Sequence, residues 1–396
     1  MEEKKFTVRG FKASALAAGL KKDQSLDLGL IVSDVEAVGA AVFTTNRVQA
    51  APVLLSREHV RDGRIRAIIA NAGNANACTG PKGLENARRT AELVAGELGV
   101  RAEEVLVAST GVIGAPLNME KVAAAVPDLV QSLSPDGLPK VAEAIMTTDS
   151  FPKKAVFEGR AGGRDYRVLG MAKGAGMIMP DMATMLCFVL TDLCIEAEPL
   201  KAVLSRAVES TFNRITVDGD TSTNDMAAVL ANGLAGNPSL SSEELAVFRE
   251  GLTRVMGDLA IMIVRDGEGA SKVIHVIIKG AESAGDAEKA ARTVANSLLV
   301  KTACYGQDPN WGRIMAALGR SGVAMEEETV EIWIDDVKIV EGGLGLGEEA
   351  EKRAAGRMQE AEFSLVLDLG RGGFEDRVST CDLTHEYVSI NADYRT

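Results

Sequence analysis

Strand-like and helix-like segments alternate along the whole chain, which predicts an α/β or α+β fold. Short apolar runs such as LGLIVSD (28–34) and RIRAIIANAG (64–73) look like strands. Between them lie stretches with helical spacing: in GLENARRTAELVAGELG (83–99), Leu84, Ala87, Ala91, Leu93 and Val94 fall on roughly one side. The length of 396 residues exceeds what one compact core takes, so two or three packed units are expected.

The elements follow in order. LGLIVSD and AAVFTTN (40–46) are expected as two early strands, and RIRAIIANAG as a third. EVLVASTGVIG (104–114) reads as a short buried strand ending in a glycine turn. Residues 118–132 and 138–146 look helical, with Pro127 expected to break or kink the first. AVFEG (155–159) and DYRVLGMAK (165–173) make a hairpin pair, and TMLCFVLTD (184–192) is a further strand, followed by a helix over 197–211. Residues 241–269 open with a serine-capped turn carrying Glu243 and Glu244 and continue as a long helix. SKVIHVIIKG (271–280) alternates as a half-buried strand, and residues 286–306 are expected to be helical throughout. TVEIWIDD (329–336), FSLVLDLG (363–370), GFEDRVSTCDL (373–383) and EYVSINADYRT (386–396) are all expected as strands, with a loop over 341–347 leading into a helix.

Composition narrows the function. Lys and Arg number 43 against 56 Asp and Glu, for a formal charge of −13, which disfavours nucleic acid and anionic membrane as partners. No apolar run reaches the ~18 residues that span a bilayer, and MEEKKFTVRGF lacks the apolar region of a secretory signal. Five scattered cysteines without a CxxC pair suit a reducing cytoplasm. Only His59, His275 and His385 are present, so a histidine-rich metal site and a Ser-His-Asp triad have few candidates. Aromatics are scarce at 4% while glycine reaches 40 residues, a balance that favours tight turns and close backbone approaches.

The stretch GMAKGAGMIMPDMATMLCFVLTD (170–192) runs from a glycine-punctuated loop into a buried strand, with Thr184 at the join. A threonine is common at a strand start, and on the strand alone that ordinary reading holds. The surroundings favour another. Gly174 and Gly176 widen the backbone choices, Pro180 fixes a bend, and Ala183 leaves its carbonyl uncrowded. The Thr184 hydroxyl is then suited to attack the Ala183–Thr184 peptide bond by N→O acyl shift, after which water releases the upstream chain. The new N-terminal threonine carries its own base, an α-amino group of pKa about 7.7–8.0, and needs no histidine.

This segment, together with NAGNANACTG (71–80), ASTGVIG (108–114), AIMTTDSFPK (144–153), ITVDGDTSTND (215–225), RDGEGASK (265–272), GQDPNWGRI (306–314) and YVSINADYRT (387–396), resembles the ornithine acetyltransferase family, also called glutamate N-acetyltransferase. The blocks stand in the family's order across essentially the whole chain. The resemblance implies a layered sandwich of mixed β-sheets and helices with a smaller C-terminal unit, cut into an α chain (1–183) and a β chain (184–396) beginning with the nucleophile. It implies transfer of acetyl from N2-acetyl-L-ornithine to L-glutamate through an acetyl-threonine, in arginine biosynthesis. Some members also take acetyl from acetyl-CoA. No cofactor or metal is implied, and VDGDTSTND, though rich in aspartate, lacks the glutamate spacing of a calcium loop. Thr184 is the implied nucleophile, with Thr110 and Gly111 as oxyanion hole. Thr147, Lys173, Glu268, Asn391 and Thr396 are the implied substrate contacts, with Asp266 a second candidate beside Glu268 and Thr148 a second register for Thr147. Two α and two β chains are expected to associate in the cytoplasm. The rival readings are a self-processing aminopeptidase or amidase, in which water takes the acyl group, and an unprocessed binding protein.

Overall fold

The structure, a computed structural model, describes residues 5–179 and 185–393. Its first sheet is built from β1 (Phe11–Leu16), β2 (Leu28–Phe43), β3 (Arg64–Asn71), β4 (Val105–Ser109), β5 (Lys153–Ala161), β6 (Arg164–Lys173), β7 (Leu186–Thr191) and β8 (Met226–Ala231). The second comprises β9 (Val273–Ala281), β10 (Glu331–Ile334), β11 (Val337–Glu341), β12 (Leu344–Gly345), β13 (Glu362–Asp368) and β14 (Phe374–Cys381). The helices are α1 (Ala51–His59), α2 (Gly80–Leu98), α3 (Met119–Gln131), α4 (Leu138–Ala144), α5 (Ala197–Ser210), α6 (Ser242–Arg265), α7 (Ala284–Ala295), α8 (Leu298–Tyr305), α9 (Trp311–Gly319), α10 (Glu348–Arg357) and α11 (His385–Asp393).

The first sheet is eight-stranded, in the order β4-β3-β2-β8-β7-β6-β5 with β1 attached to β2. It is mixed: β7 runs parallel to β8 and β3 to β4, and the other pairings are antiparallel. Period-2 alternation on β7 shows how it is layered. Leu186, Phe188 and Leu190 enter a core with Leu138 and Val141 of α4. Cys187 and Val189 enter the opposite core with Leu204 of α5 and Leu259 of α6. A strand buried on both faces reads as a continuous apolar run, as CFVL does. The second sheet, in the order β12-β11-β10-β13-β9-β14, has its own core with α7 and forms the smaller C-terminal unit.

This is the layered α/β sandwich expected. Several elements differ from their sequence reading. The two early strands are one, β2, with an irregularity between Val32 and Ala37: its first half pairs with β1, its second with β8, and β3 pairs on both sides of the break. Pro127 lies inside α3 without ending it, since Val122, Val126 and Leu129 bury one face of that helix. Residues 286–306 form two helices, divided at Asn296, whose side chain accepts from the Thr216 hydroxyl at 2.7 Å and ties this corner to the first core. The last segment is a helix, α11, over its described part. The β-favouring Tyr387 and Val388 are overridden by contacts that need helical spacing, with Tyr387 and Asn391 four residues apart at one cavity. Among the described residues no helix is long and apolar enough to cross a membrane.

Candidate active site

The motif blocks converge on one cavity of about 220 Å³, except GQDPNWGRI (306–314), which leads into α9 in the C-terminal unit and contributes nothing to it. Ala183, Thr184 and Thr396 lie outside the described residues, as does Pro180. Ile178 and Met185, described on either side of the predicted cleavage segment, both line the cavity. So do Thr110, Gly111, Thr147, Lys173, Glu268 and Asn391. Thr148 lines it beside Thr147.

Thr110 and Gly111 leave the end of β4. The Thr110 N–H donates to the Asn71 carbonyl at 2.9 Å, and Gly111 adopts a left-handed φ of 130°. A Cβ at Gly111 would overlap the Gly73 backbone, so this position takes glycine for close approach as well as for φ. The asparagine-rich 71–80 block thus serves as the wall against which this turn is set. Asn71 receives the Ser109 hydroxyl at 2.6 Å, and Asn224 donates to the Ala75 and Ser109 carbonyls at 2.6 and 2.9 Å.

Lys173 ends β6. Its Nζ donates to Thr110 Oγ1 over a long 3.4 Å and lies 4.0 Å from Asp149 Oδ2. Accepting that bond leaves the Thr110 hydroxyl proton free to point elsewhere. Burial pulls the Lys173 pKa below the ordinary lysine value, and Asp149 opposes the shift. Burial alone would push Asp149 up, but the charges of Lys173 and Lys153, with hydrogen bonds from Lys153 and the Gly174 N–H, bring it down to about 2. The two directions are compatible. Asp149 has Lys153 in direct contact at 2.7 Å, whereas Lys173 has only the longer contact and is repelled by Lys153.

Glu268 follows α6 and is buried; its Oε2 accepts from Asn391 Nδ2 at 2.7 Å. Gly176 passes so close that a Cβ there would overlap the Glu268 carboxylate. The chain before the predicted scissile bond is clamped rather than loose. Met177 is left-handed at φ 56°, and its N–H and that of Ile178 donate to Asp218 at 2.6 and 2.9 Å. Glycines were expected to carry this bend; a methionine held by a carboxylate shares it.

Asp266, a candidate for substrate contact, turns away from the cavity. It accepts from Ser150 and from Lys153 Nζ at 2.6 Å. None of the three histidines lines the cavity. Asp218, Asp225 and Tyr387 also line the cavity; their blocks stand out in the sequence, which gives these residues no role at the site. Burial raises the Asp218 carboxyl and pushes Asp225 well above the usual range. Asp225 Oδ2 is buried and finds no hydrogen-bond partner among the described residues. The aspartate-rich stretch invites a metal reading that its spacing does not support, and Asp218 instead accepts the Met177 and Ile178 N–H groups, a role visible only once the fold brings 177–178 to it.

A cavity of this size, with a lysine and a glutamate facing one space and a hydroxyl–amide pair on one wall, suits a small zwitterion and acyl chemistry. The ArgJ family model matches residues 12–396. The arginine biosynthesis bifunctional protein ArgJ of Geobacter sulfurreducens is 53% identical over 391 residues, covering 98% of this chain and 100% of that protein. The glutamate N-acetyltransferase of Methanocaldococcus jannaschii is 46% identical over 401 residues, covering 98% and 97%. The crystal structure of ArgJ from Bacillus halodurans is 43% identical with a TM-score of 0.50, covering 52% of this chain and 98% of that one. The chain belongs to the ArgJ family and is an acyltransferase.

Proposed function

We propose that this enzyme cuts itself between Ala183 and Thr184 and then moves acetyl from N2-acetyl-L-ornithine to L-glutamate by a ping-pong cycle. The observation that carries the reading is the convergence of Thr110, Gly111, Thr147, Lys173, Glu268 and Asn391 on the one cavity that Ile178 and Met185 also line. The Thr184 hydroxyl attacks the acetyl carbonyl, and its proton passes to its own α-amino group. The Thr110 hydroxyl and Gly111 N–H receive the oxyanion, a kind of donor worth about 2.7–4 kcal/mol each. Collapse expels ornithine, whose α-nitrogen takes the proton, and leaves the acetyl ester on Thr184. The α-amine of glutamate then attacks the ester, and Thr184 departs with a proton regained. Lys173 pairs with the substrate carboxylate, and Glu268, steadied by Asn391, with the ammonium of ornithine. Thr147 and Thr396 complete the contacts.

Support for cutting comes from the Bacillus halodurans chain, matched over 98% of its length by 52% of this one, the size a single fragment has. The relatives' name, bifunctional, favours a second donor, for which acetyl-CoA is the proposal. Ile113 and Thr147 also line an adjoining cavity of about 730 Å³ carrying Lys21, Lys22 and Lys121 against Asp23 and Asp393, which offers room and a small excess of positive charge. No cofactor is required. Two α and two β chains assemble in the cytoplasm.

Intact mass and a denaturing gel test the cut: fragments 1–183 and 184–396 are expected, with Thr184→Ala remaining one inactive chain. Incubation with acetylornithine and glutamate is expected to give N-acetylglutamate faster than free acetate. Predominant acetate would overturn transfer in favour of an amidase, and a full-length band from active enzyme would overturn self-cleavage.

A further inference from the structure

Behind the cavity wall lies a buried group of charges for which the proposed chemistry has no use. Lys153 opens β5 with no exposed surface. Its ammonium donates to Asp149 Oδ1 at 2.7 Å and to Asp266 Oδ2 at 2.6 Å. Asp149 also accepts the Gly174 N–H at 2.6 Å and the Thr147 N–H at 2.9 Å. Asp266 accepts the Ser150 N–H at 3.0 Å and the Ser150 hydroxyl.

Each of these bonds ends beside a residue of the site. Asp149 fixes the backbone of Thr147 and the peptide just after Lys173. Asp266 stands two residues before Glu268 and anchors the same loop from the end of α6. Two carboxylates and one ammonium leave a net negative charge on side chains closed to solvent, and the nearby charge that balances them is Lys173. Such groups are costly to bury, and well-packed apolar side chains often serve stability as well or better. Charge here does something packing cannot: it keeps a cation at the cavity wall.

We propose that Asp149, Lys153 and Asp266 are positioning residues, which fix Thr147, Lys173 and Glu268 relative to one another and hold Lys173 as an ammonium for the substrate carboxylate. The inference rests on Lys173 being that substrate contact. Besides Asp149, the charged groups acting on Lys173 are Lys153, Asp225, Glu268 and Lys21, from four separate stretches of chain. Burial pushes the Asp225 carboxyl well above its usual range, and of the anions acting on Lys173 Asp149 acts most strongly, from 4.0 Å.

Removing different members should move Lys173 in opposite directions. Asp149→Asn takes away its nearest anion. The alkaline limb of kcat/KM for glutamate is expected to fall by about one pH unit, the worth of an opposite charge at this distance. KM should rise on the order of 10-fold, with a smaller change in kcat. The double variant Lys153→Met with Asp266→Asn deletes one cation and one anion and leaves Asp149 to Lys173 alone, so the limb is expected to move up. Melting temperature and the two-fragment pattern report folding of the full-length enzyme. Folded variants whose limbs stay put, or shift the same way, would overturn the proposal. If Asp149→Asn does not fold, an unmoved or lowered limb in the double variant overturns it. If neither folds, the group is structural and the proposal falls. Lys173→Met separates the underlying reading: wild-type KM for glutamate in that variant refutes Lys173 as the substrate contact, whatever the other variants do.

Discussion

Lys153 and Lys301 are both withdrawn from water, at 0% and 2% exposure, and they are held in different ways. Lys153, at the cavity end of the first sheet, is gripped by two carboxylates that reach on to Thr147, Gly174 and Ser150. Lys301, on α8 in the C-terminal unit, donates to the Thr380 hydroxyl at 2.9 Å and to the Cys381 carbonyl, with the Cys381 sulfur at 3.6 Å. Neutral dipoles suffice to fasten α8 to β14. Ionised partners appear where their charge acts on something beyond the lysine itself. Lys301 therefore serves shape, and under the proposed reading the cavity end uses its buried charges to hold the site residues in place.

The largest expected effect tests whether the cavity depends on such close fitting. Gly111→Ala forces a Cβ into the Gly73 backbone, and kcat is expected to fall by about 10²–10³-fold as the proposed oxyanion donor is displaced. In the C-terminal unit, Gly347 is also left-handed at φ 85° but has open space around it. There, alanine should lower stability by about 1 kcal/mol and leave kcat alone. Equal kcat losses in the two variants would erase the contrast.

Next comes Lys301→Met. It leaves the Thr380 hydroxyl and Cys381 carbonyl without this donor, and urea midpoints should show a loss of about 1–3 kcal/mol with the pH profile of activity unchanged. A shifted profile would mean that the C-terminal lysine also tunes the site.

Acid should single out the cavity end. The folded carboxyl of Asp149 sits at about 2, below its ordinary value of 3.8, so its contribution is present above pH about 4 and disappears as pH falls toward 2. The amount is on the order of 2 kcal/mol. Urea midpoints taken between pH 6 and pH 3 should fall less steeply in Asp149→Asn than in the parent, and identical slopes would remove Asp149 from the balance. The smallest effect is expected for Asp218→Asn, which weakens the clamp on the Met177 and Ile178 N–H groups. The precursor should disappear roughly 5-fold more slowly, about 1 kcal/mol, on a timed gel.

Much of this was legible beforehand. Periodicity located β3, α2, α5, α6 and β9, since each buries one face or both against a neighbour of its own unit. The motif blocks named Thr110, Gly111, Thr147, Lys173, Glu268 and Asn391, which the fold gathers at one cavity. What could not be read depends on partners far along the chain. Lys153 and Asp266 are 113 positions apart, and no local pattern pairs a lysine at a strand start with an aspartate at a helix end. Asp218 carries the same limit: its three-residue neighbourhood suggests a turn or a cation, and its partners at 177–178 come from another strand connection. The C-terminal helix is hidden in the sequence because Tyr387 and Val388 favour strands locally, while Tyr387 and Asn391 meet the cavity at a spacing of four.

The order of strands in the first sheet has a consequence for the timing of assembly. β7 and β8, which follow the predicted cut, lie between β2 and β6, which precede it. A chain severed before folding would leave β2 and β6 as bare edges, open to pairing with other copies. Its halves would also have to meet by diffusion, whereas in one chain they meet at the millimolar effective concentration that a tether provides. The peptide bond at Ala183–Thr184 therefore serves first as a leash for building the sheet. Under the proposed self-cleavage, only when that work is finished could it be cut without losing the molecule, and the cut would mark a chain that has already folded correctly.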